Sequence, residues 1–174
     1  SSSVDETIKL WSLPDGALLN TLEGHKSSVQ SVAISPDGTL LASGSYDNTI
    51  KLWSLPDGAL LNTSLYYGNP FSSVAISSDG ILLASSNGET IKLWSLPDGA
   101  LLNTLEGHTE NVNSVAINPD GTLLASGSAD NTIKLWSLPD GALLNTLRGH
   151  TEGVGSVAIN PDGTLLASGS VDKT

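Results

Sequence analysis

The sequence predicts an all-β fold made of repeated four-stranded antiparallel units, and three observations carry the prediction. The string TIKLWSLPDGALLNT begins at Thr7, Thr49, Thr90 and Thr132, spacings of 42, 41 and 42 residues, and a fifth copy opens at Thr174. Turn signals divide every unit into short segments. The apolar runs between those turns are four to six residues long, the length of strands and too short for helices. Self-similarity at such a period marks a repeat architecture, in which each unit buries its apolar surface against the next.

Residues 7–48 show how each element arises. The first run, Ile8–Trp11, ends at Pro14-Asp15-Gly16, where proline presets φ while Asp and Gly accept the positive angles of a tight reversal. The second, Ala17–Leu22, is stopped by Gly24-His25, the third, Val29–Ile34, by Pro36-Asp37-Gly38, and the fourth, Leu40–Ser43, by Asp47-Asn48. Leu40-Leu41-Ala42, Ala17-Leu18-Leu19 and Val32-Ala33-Ile34 are apolar on both faces of their strands. Strands buried on both faces inside antiparallel meanders require small sheets stacked face to face, and a β-propeller stacks its blades that way. The units read as 7–48, 49–89, 90–131 and 132–173, a single domain over 1–174 with a half-blade at each end.

The 174 residues include 18 acidic and 7 basic side chains, a formal charge of −11. Such a surface repels phosphate backbones and anionic headgroups, so neither nucleic acid nor membrane is expected as a partner. No apolar run approaches the ~20 residues of a membrane-spanning helix, and no basic-then-apolar order marks a signal peptide. Without cysteine there is neither a disulfide framework nor a thiolate metal site, and a cytoplasmic protein is expected. Methionine is absent too, even at position 1, and the copies starting at Thr90 and Thr132 differ at five positions. Both facts point to recent duplication or to an engineered, processed chain.

One unit then brings a longer pattern together: Gly107-His108, Val115-Ala116-Ile117, Pro119-Asp120-Gly121, Leu124-Ala125-Ser126-Gly127-Ser128, Asp130 and Ile133-Lys134-Leu135-Trp136. This order closely resembles the WD40 repeat over essentially the whole chain, and most of all the bacterial WD40 propellers with near-identical blades. That family closes its unit with Trp-Asp, whereas the copies here have Trp-Ser, as at Trp11-Ser12, a position that varies within the family. The resemblance implies a β-propeller of four-stranded antiparallel WD40 blades, four blade equivalents per chain. It also implies a non-catalytic scaffold for protein–protein interaction, with no cofactor and no metal.

Serine, histidine and aspartate recur as His25/Ser43/Asp47, His108/Ser126/Asp130 and His150/Ser168/Asp172. These are the residue types of a hydrolytic triad, but catalysis needs one asymmetric cleft with an oxyanion hole rather than one set per unit. The resemblance assigns them instead to structural tetrads closed by tryptophan: Asp47, His25, Ser43 and Trp53, with Trp136 closing the second set. A half-buried imidazole needs partners at both nitrogens and an indole N–H needs an acceptor, which such a network supplies. Three histidines at this spacing fall on separate blades, too far apart to ligate one metal.

The second copy departs from the pattern. Tyr66 and Tyr67 replace Gly-His, Ser78 replaces the turn proline, and one residue is missing near Glu89. Ser85 and Trp94 remain, with Glu89 the one candidate for the lost carboxylate. That blade is expected to be the least rigid unless Tyr66, Tyr67 and Phe71 compensate by burial. Alternatively, this aromatic cluster is a partner site.

The regular copies differ chiefly in two loops, one after Gly-His and one at Tyr46, Ala129 and Val171. In WD40 propellers those loops line the rim around the channel mouth, where peptides dock. Lys26, Gln30, Tyr46, Phe71, Asn111 and Asn113 are the candidate contacts for a peptide or protein, and a peptide-binding sensor domain is the second reading of function. A hydrolase using one Ser/His/Asp set, or a sugar- or lipid-binding propeller, has less behind it.

The chain opens in the third and fourth strands of a blade and stops after the first and second, and residues 1–7 (SSSVDET) repeat the phase of 168–174 (SGSVDKT). Joined within one chain, the halves give four blades turning by about 90° each, where blades shaped for about 45° would gape. Two chains instead give an eight-bladed homodimer about a two-fold axis. There His150, Ser168 and Asp172 of one copy meet Trp11 of the other.

Overall fold

A computed structural model describes residues 3–65 and 69–173, and no helix occurs among the described residues. The strands in chain order are β1 (Ile8–Trp11), β2 (Leu18–Leu22), β3 (Val29–Ile34), β4 (Leu40–Ser45), β5 (Thr49–Ser54), β6 (Leu60–Leu65), β7 (Phe71–Ile76) and β8 (Leu82–Asn87). They continue as β9 (Thr90–Ser95), β10 (Leu101–Leu105), β11 (Val112–Ile117), β12 (Leu123–Ser128), β13 (Thr132–Ser137), β14 (Leu143–Arg148), β15 (Val154–Ile159) and β16 (Leu166–Ser170). Three four-stranded antiparallel sheets, β3–β6, β7–β10 and β11–β14, are flanked by the two-stranded pairs β1–β2 and β15–β16. Each sheet is a meander, the form of a propeller blade.

The second and third strands of each blade pair without a break. Leu41 lies opposite Trp53 and Ser43 opposite Lys51, and Leu124/Trp136 and Ser126/Lys134 repeat the arrangement. Side chains two apart share a face, so the serine hydroxyl stands on the tryptophan's side of the sheet. The residue missing from the second copy falls in the turn after β8. Asn87 pairs directly with Thr90 there, and the turn is Gly88-Glu89, where the first full blade has residues 46–48. The deletion thus removes the turn position that carries Asp47.

Blades stack with β3 on β7, β7 on β11 and β11 on β15, which puts the first strand of each blade innermost. A serine on each inner strand ties it to the next: Ser31, Ser73 and Ser114 Oγ accept the N–H groups of Val74, Val115 and Val157 at 3.1, 3.2 and 3.2 Å. Farther out, Asn20, Asn62 and Asn103 donate to the carbonyls of Asp57, Asp98 and Asp140 in the following blade. Gly127 permits the close approach of blades, since a Cβ there would lie 2.7 Å from Val154.

One expectation is corrected. Ala17-Leu18-Leu19 is apolar on both faces but is not buried on both: Leu18 and Leu19 are 51% and 63% exposed, and Leu60, Leu61, Leu143 and Leu144 behave alike. Blades arranged about an axis diverge outward, so neighbours cover the second strand, where Leu41 and Ala42 are buried, and leave the fourth uncovered. The pairs β1–β2 and β15–β16 remain separate sheets, so one chain is an open row of blades.

Candidate functional site

Two complete networks repeat with nearly the same geometry. His25 Nδ1 lies 2.9 Å from Asp47 Oδ2, its Nε2 lies 2.7 Å from Ser43 Oγ, and Trp53 Nε1 donates to that hydroxyl at 2.9 Å. In the blade of β11–β14 the same distances, for His108, Asp130, Ser126 and Trp136, are 2.7, 2.8 and 2.9 Å. A carboxylate facing Nδ1 requires a proton on that nitrogen, so Nε2 is the acceptor and serine donates to it while accepting from the indole. Gly24 and Gly107 precede the histidines because the chain turns there against tryptophan. A Cβ would lie 3.3 Å from the Trp53 ring and 3.2 Å from the Trp136 ring, at φ of 150° and 154°.

Burial is the main influence on these imidazoles and pushes His25 and His108 below the ordinary histidine value. Asp47 and Asp130 oppose the shift, and Lys51 and Lys134 add to it. Burial also pushes the Asp130 carboxyl up, but hydrogen bonds from Thr132, His108 and the Thr109 N–H outweigh it and hold it down to about 2. The sign for stability follows from proton counting. Between the depressed value and about 6.5 the unfolded chain binds protons that the buried rings refuse, so the histidine contribution is complete above that range and declines as pH falls through it. The aspartate contribution persists until pH drops below about 3.8. The thermal midpoint is therefore expected to hold from pH 8 to 7 and to fall toward pH 5. A variant carrying both His25→Gln and His108→Gln should show less of that decline in calorimetry, and an equal slope would remove the assignment.

The blade of β7–β10 solves the same packing problem without histidine. Ser85 Oγ accepts the Trp94 indole N–H at 2.8 Å. Glu89 is exposed, while Asn87 is buried and donates to the Asn69 carbonyl. Phe71 is wholly buried, which corrects its assignment to the binding rim. It stands where Val29 and Val112 begin their strands and presents its ring edge to Trp94 at 6.3 Å and 66°, close to the 6.1 Å and 60° of His25 on Trp53. Tyr66 and Tyr67 lie outside the described residues.

The third histidine has half a site. His150 keeps Asp172 and Ser168, each at 2.8 Å, but no indole completes the set. Trp11, on the far pair β1–β2, is 54% exposed, whereas Trp53, Trp94 and Trp136 are 4% or less. Of the rim residues, Lys26, Tyr46 and Asn111 are exposed and Gln30 is half-buried. Asn113 is half-buried too, and its amide is committed to the Val154 carbonyl of the next blade at 2.9 Å. Ser43 and Ser126 are wholly buried beneath tryptophan, which leaves a substrate carbonyl no approach to either hydroxyl. Among the described residues, no three His, Asp or Glu side chains converge as metal ligands. Sequence reading missed the inner-strand serines and the buried Lys51–Thr63, Lys92–Thr104 and Lys134–Thr146 bonds, although both recur at the repeat period.

Comparison with known proteins bears on all four repeats. The family described as WD domain, G-beta repeat matches residues 16–54, 60–95, 99–137 and 141–174. A stretch of 44 residues is 50% identical to the small ribosomal subunit protein RACK1y of Oryza sativa subsp. japonica, 25% of this chain and 13% of that protein. Another of 38 residues is 47% identical to the F-box-like/WD repeat-containing protein TBL1X of Mus musculus, 22% of this chain and 7% of that protein. A third, of 45 residues, is 49% identical to transducin beta-like protein 3 of Rattus norvegicus, 25% and 6%. Each match is about one repeat long and spans a small part of the relative. With matched repeats over most of its length, each folded into blade strands, the chain belongs to the WD40-repeat family.

Proposed function

We propose that the chain is a non-catalytic scaffold for protein–protein interaction and that it works as a homodimer, two open rows of blades closing into one eight-bladed ring. The observation that carries this reading is that each half-blade lacks what the other exposes. Beside β1 runs a groove of about 620 Å³, lined by Leu10, Trp11, Val32, Ile34, Leu41 and Leu55 among others. One blade on, the equivalent Leu52, Val74, Ile76, Leu83 and Leu96 enclose Leu40 and Ala42 of the second strand. Their counterparts at the other end, Leu165 and Ala167, are exposed. Asn145 is also exposed, in the position from which Asn20, Asn62 and Asn103 reach the next blade.

Set in the register of β4 on β5, β16 of one copy lies on β1 of the other, with Leu166 opposite Trp11 and Ser168 opposite Lys9. Ser3–Thr7 already repeats the turn of Ser45–Thr49: Asp5 N bonds Ser3 Oγ and Thr7 N bonds Asp5 Oδ1, as Asp47 N bonds Ser45 Oγ and Thr49 N bonds Asp47 Oδ1. Closure therefore displaces Ser3–Thr7 in favour of the turn whose Asp172 is bonded to His150. Light scattering should give twice the 17.9 kDa chain mass, and a stable single-chain mass would sink the dimer.

The proposed contact face is the loop rim, with Lys26, Tyr46 and Asn111 as its exposed contacts and Gln30 and Asn113 beneath them. A peptide-binding sensor domain would use the same face. Tyr46→Ala is expected to weaken a peptide selected on the protein by about tenfold or more, as loss of an aromatic anchor does. Titration calorimetry reads the change, and undiminished affinity would move the contact elsewhere. The near-identical copies accord with recent amplification or engineering of the repeat, and the cytoplasm is the proposed location.

A further inference from the structure

Beyond the rim contact, we propose that the opposite end of the blades is a second docking face, where two clefts between blades take a segment of another protein that presents aliphatic and cationic side chains together. In the blade of β3–β6 the turns β3–β4 and β5–β6 share this end, joined by the Leu55 N–H to the Thr39 carbonyl at 2.8 Å. The next two blades repeat the bond, Leu96 to Ile81 and Leu138 to Thr122. Between the blades β3–β6 and β7–β10 lies a cleft of about 580 Å³, with Pro36, Leu40, Leu61, Leu96 and Pro97 among its lining. Between β7–β10 and β11–β14 lies its counterpart of about 340 Å³, with Ile81, Leu82, Leu96, Leu102 and Pro139. Leu61 and Leu102 hold the same place one repeat apart, as do Leu40 and Leu82. The outer walls are open, Leu61 at 54% and Leu102 at 56% exposed, above floors at Leu40, Leu82 and Leu96 that are buried. Both clefts thus join exposed apolar surface to a packed floor, which a partner's aliphatic side chain can cover.

Charge selects the occupant. At this end the turns of the three full blades carry Asp37, Asp57, Asp79, Asp98, Asp120 and Asp140 and no lysine or arginine. In the strands between, Lys51, Lys92 and Lys134 are buried and donate to threonines of their own blades. Hydrogen bonds from Ser35 and Thr39 hold the Asp37 carboxyl below the ordinary carboxylate range, and those from Ser77 and the Ile81 N–H do the same for Asp79. A second copy of this chain would bring the same acidic turns and is repelled, as are nucleic acid and anionic lipid. A lysine or arginine beside an aliphatic side chain complements both surfaces. The departures of the second copy gather at this place. Asp79 lines both clefts, and its turn is the wall between them. Ser78 stands there for proline, and Ile81 for the threonine of Thr39, Thr122 and Thr164. Thr39 and Thr122 also donate a hydroxyl to the aspartate of their turn, whereas Ile81 gives Asp79 its N–H and is itself 62% exposed. The exchange takes one donor from the carboxylate and adds apolar surface to the second cleft.

Fluorescence anisotropy supplies the test, with the whole chain titrated into a labelled peptide that has two leucine–arginine pairs joined by a glycine–serine linker. Saturable binding that weakens with added salt is expected. Asp79→Asn and Ile81→Thr should each raise the dissociation constant about fivefold or more. Peptides with glutamate in place of arginine, or serine in place of leucine, should not bind. Absence of binding by the native chain overturns the proposal, as does binding matched by either control peptide or left unchanged by either variant. If Asp79→Asn lowers the melting midpoint, Ile81→Thr alone decides, because Thr39, Thr122 and Thr164 already occupy that position in the other turns. Both clefts lie within one chain, so the result stands whatever the mass in solution, and failure of the rim peptide leaves it untouched.

Discussion

Trp136→Ala is expected to lower the unfolding free energy by about 3–5 kcal/mol, the range for truncating a fully buried aromatic. The indole is 1% exposed and packs among Leu82, Val115 and Leu124, from its own blade and the one before it. It also backs the Gly107 turn and donates to Ser126. Truncation therefore opens a cavity and removes a donor from a buried hydroxyl in one step. Trp136→Phe separates the two contributions. It keeps most of the buried ring and removes only the N–H, while Ser126 retains His108 as a partner, so a loss of about 1 kcal/mol is expected. Trp11→Ala, at a half-exposed indole, should cost a single chain far less than Trp136→Ala. Denaturant unfolding followed by circular dichroism measures all three, and similar losses at Trp11 and Trp136 would contradict the blade geometry.

That contrast explains how much the sequence could reveal. Strands, turns and blades were legible because Pro-Asp-Gly and Gly-His recur at fixed intervals and each enforces a local conformation. Recurrence showed His25, Ser43 and Asp47 once per unit, and the resemblance to the WD40 repeat made them partners within one blade. Environment was less legible wherever it depends on place in the ring. Leu18-Leu19 and Leu41-Ala42 look alike as apolar runs, but only the second pair lies where adjacent blades converge. Phe71 looked like a rim aromatic because it neighbours two tyrosines, yet it occupies the first position of an inner strand, where its homologous positions are buried valines. The carboxylate lost from the second copy could not be traced to a two-residue turn without the pairing of Asn87 with Thr90. Recurrence also hid something: Trp11 and Trp53 sit in the same string, and only the absence of covering strands tells them apart.

If the proposed dimer forms, Gly169→Ala and Trp11→Ala are expected to weaken it by about tenfold or more while leaving the isolated chain intact. The argument for Gly169 rests on its counterparts. A Cβ on Gly44 would lie 3.0 Å from Phe71 Cβ, and one on Gly127 2.7 Å from Val154, because the next blade presses against the second strand at that point. A Cβ on Gly169 meets nothing within 4 Å in a single chain. In the proposed closed ring that space would fall to Val29 and Val32 of the second copy, so the added methyl would overpack a contact made only on association. Gly127→Ala supplies the control, since its clash lies inside one chain and should cost about 1–3 kcal/mol of stability whatever the mass in solution. Trp11 makes the converse test, because its removal takes away part of the groove wall against which β16 of the proposed second copy would lie. The measurement is solution mass against concentration, paired with a melting curve of the dilute single chain. If Gly169→Ala associates as tightly as the native protein, β16 does not lie against a second copy's blade, and the eight-bladed ring is wrong however the terminal half-blades are otherwise satisfied.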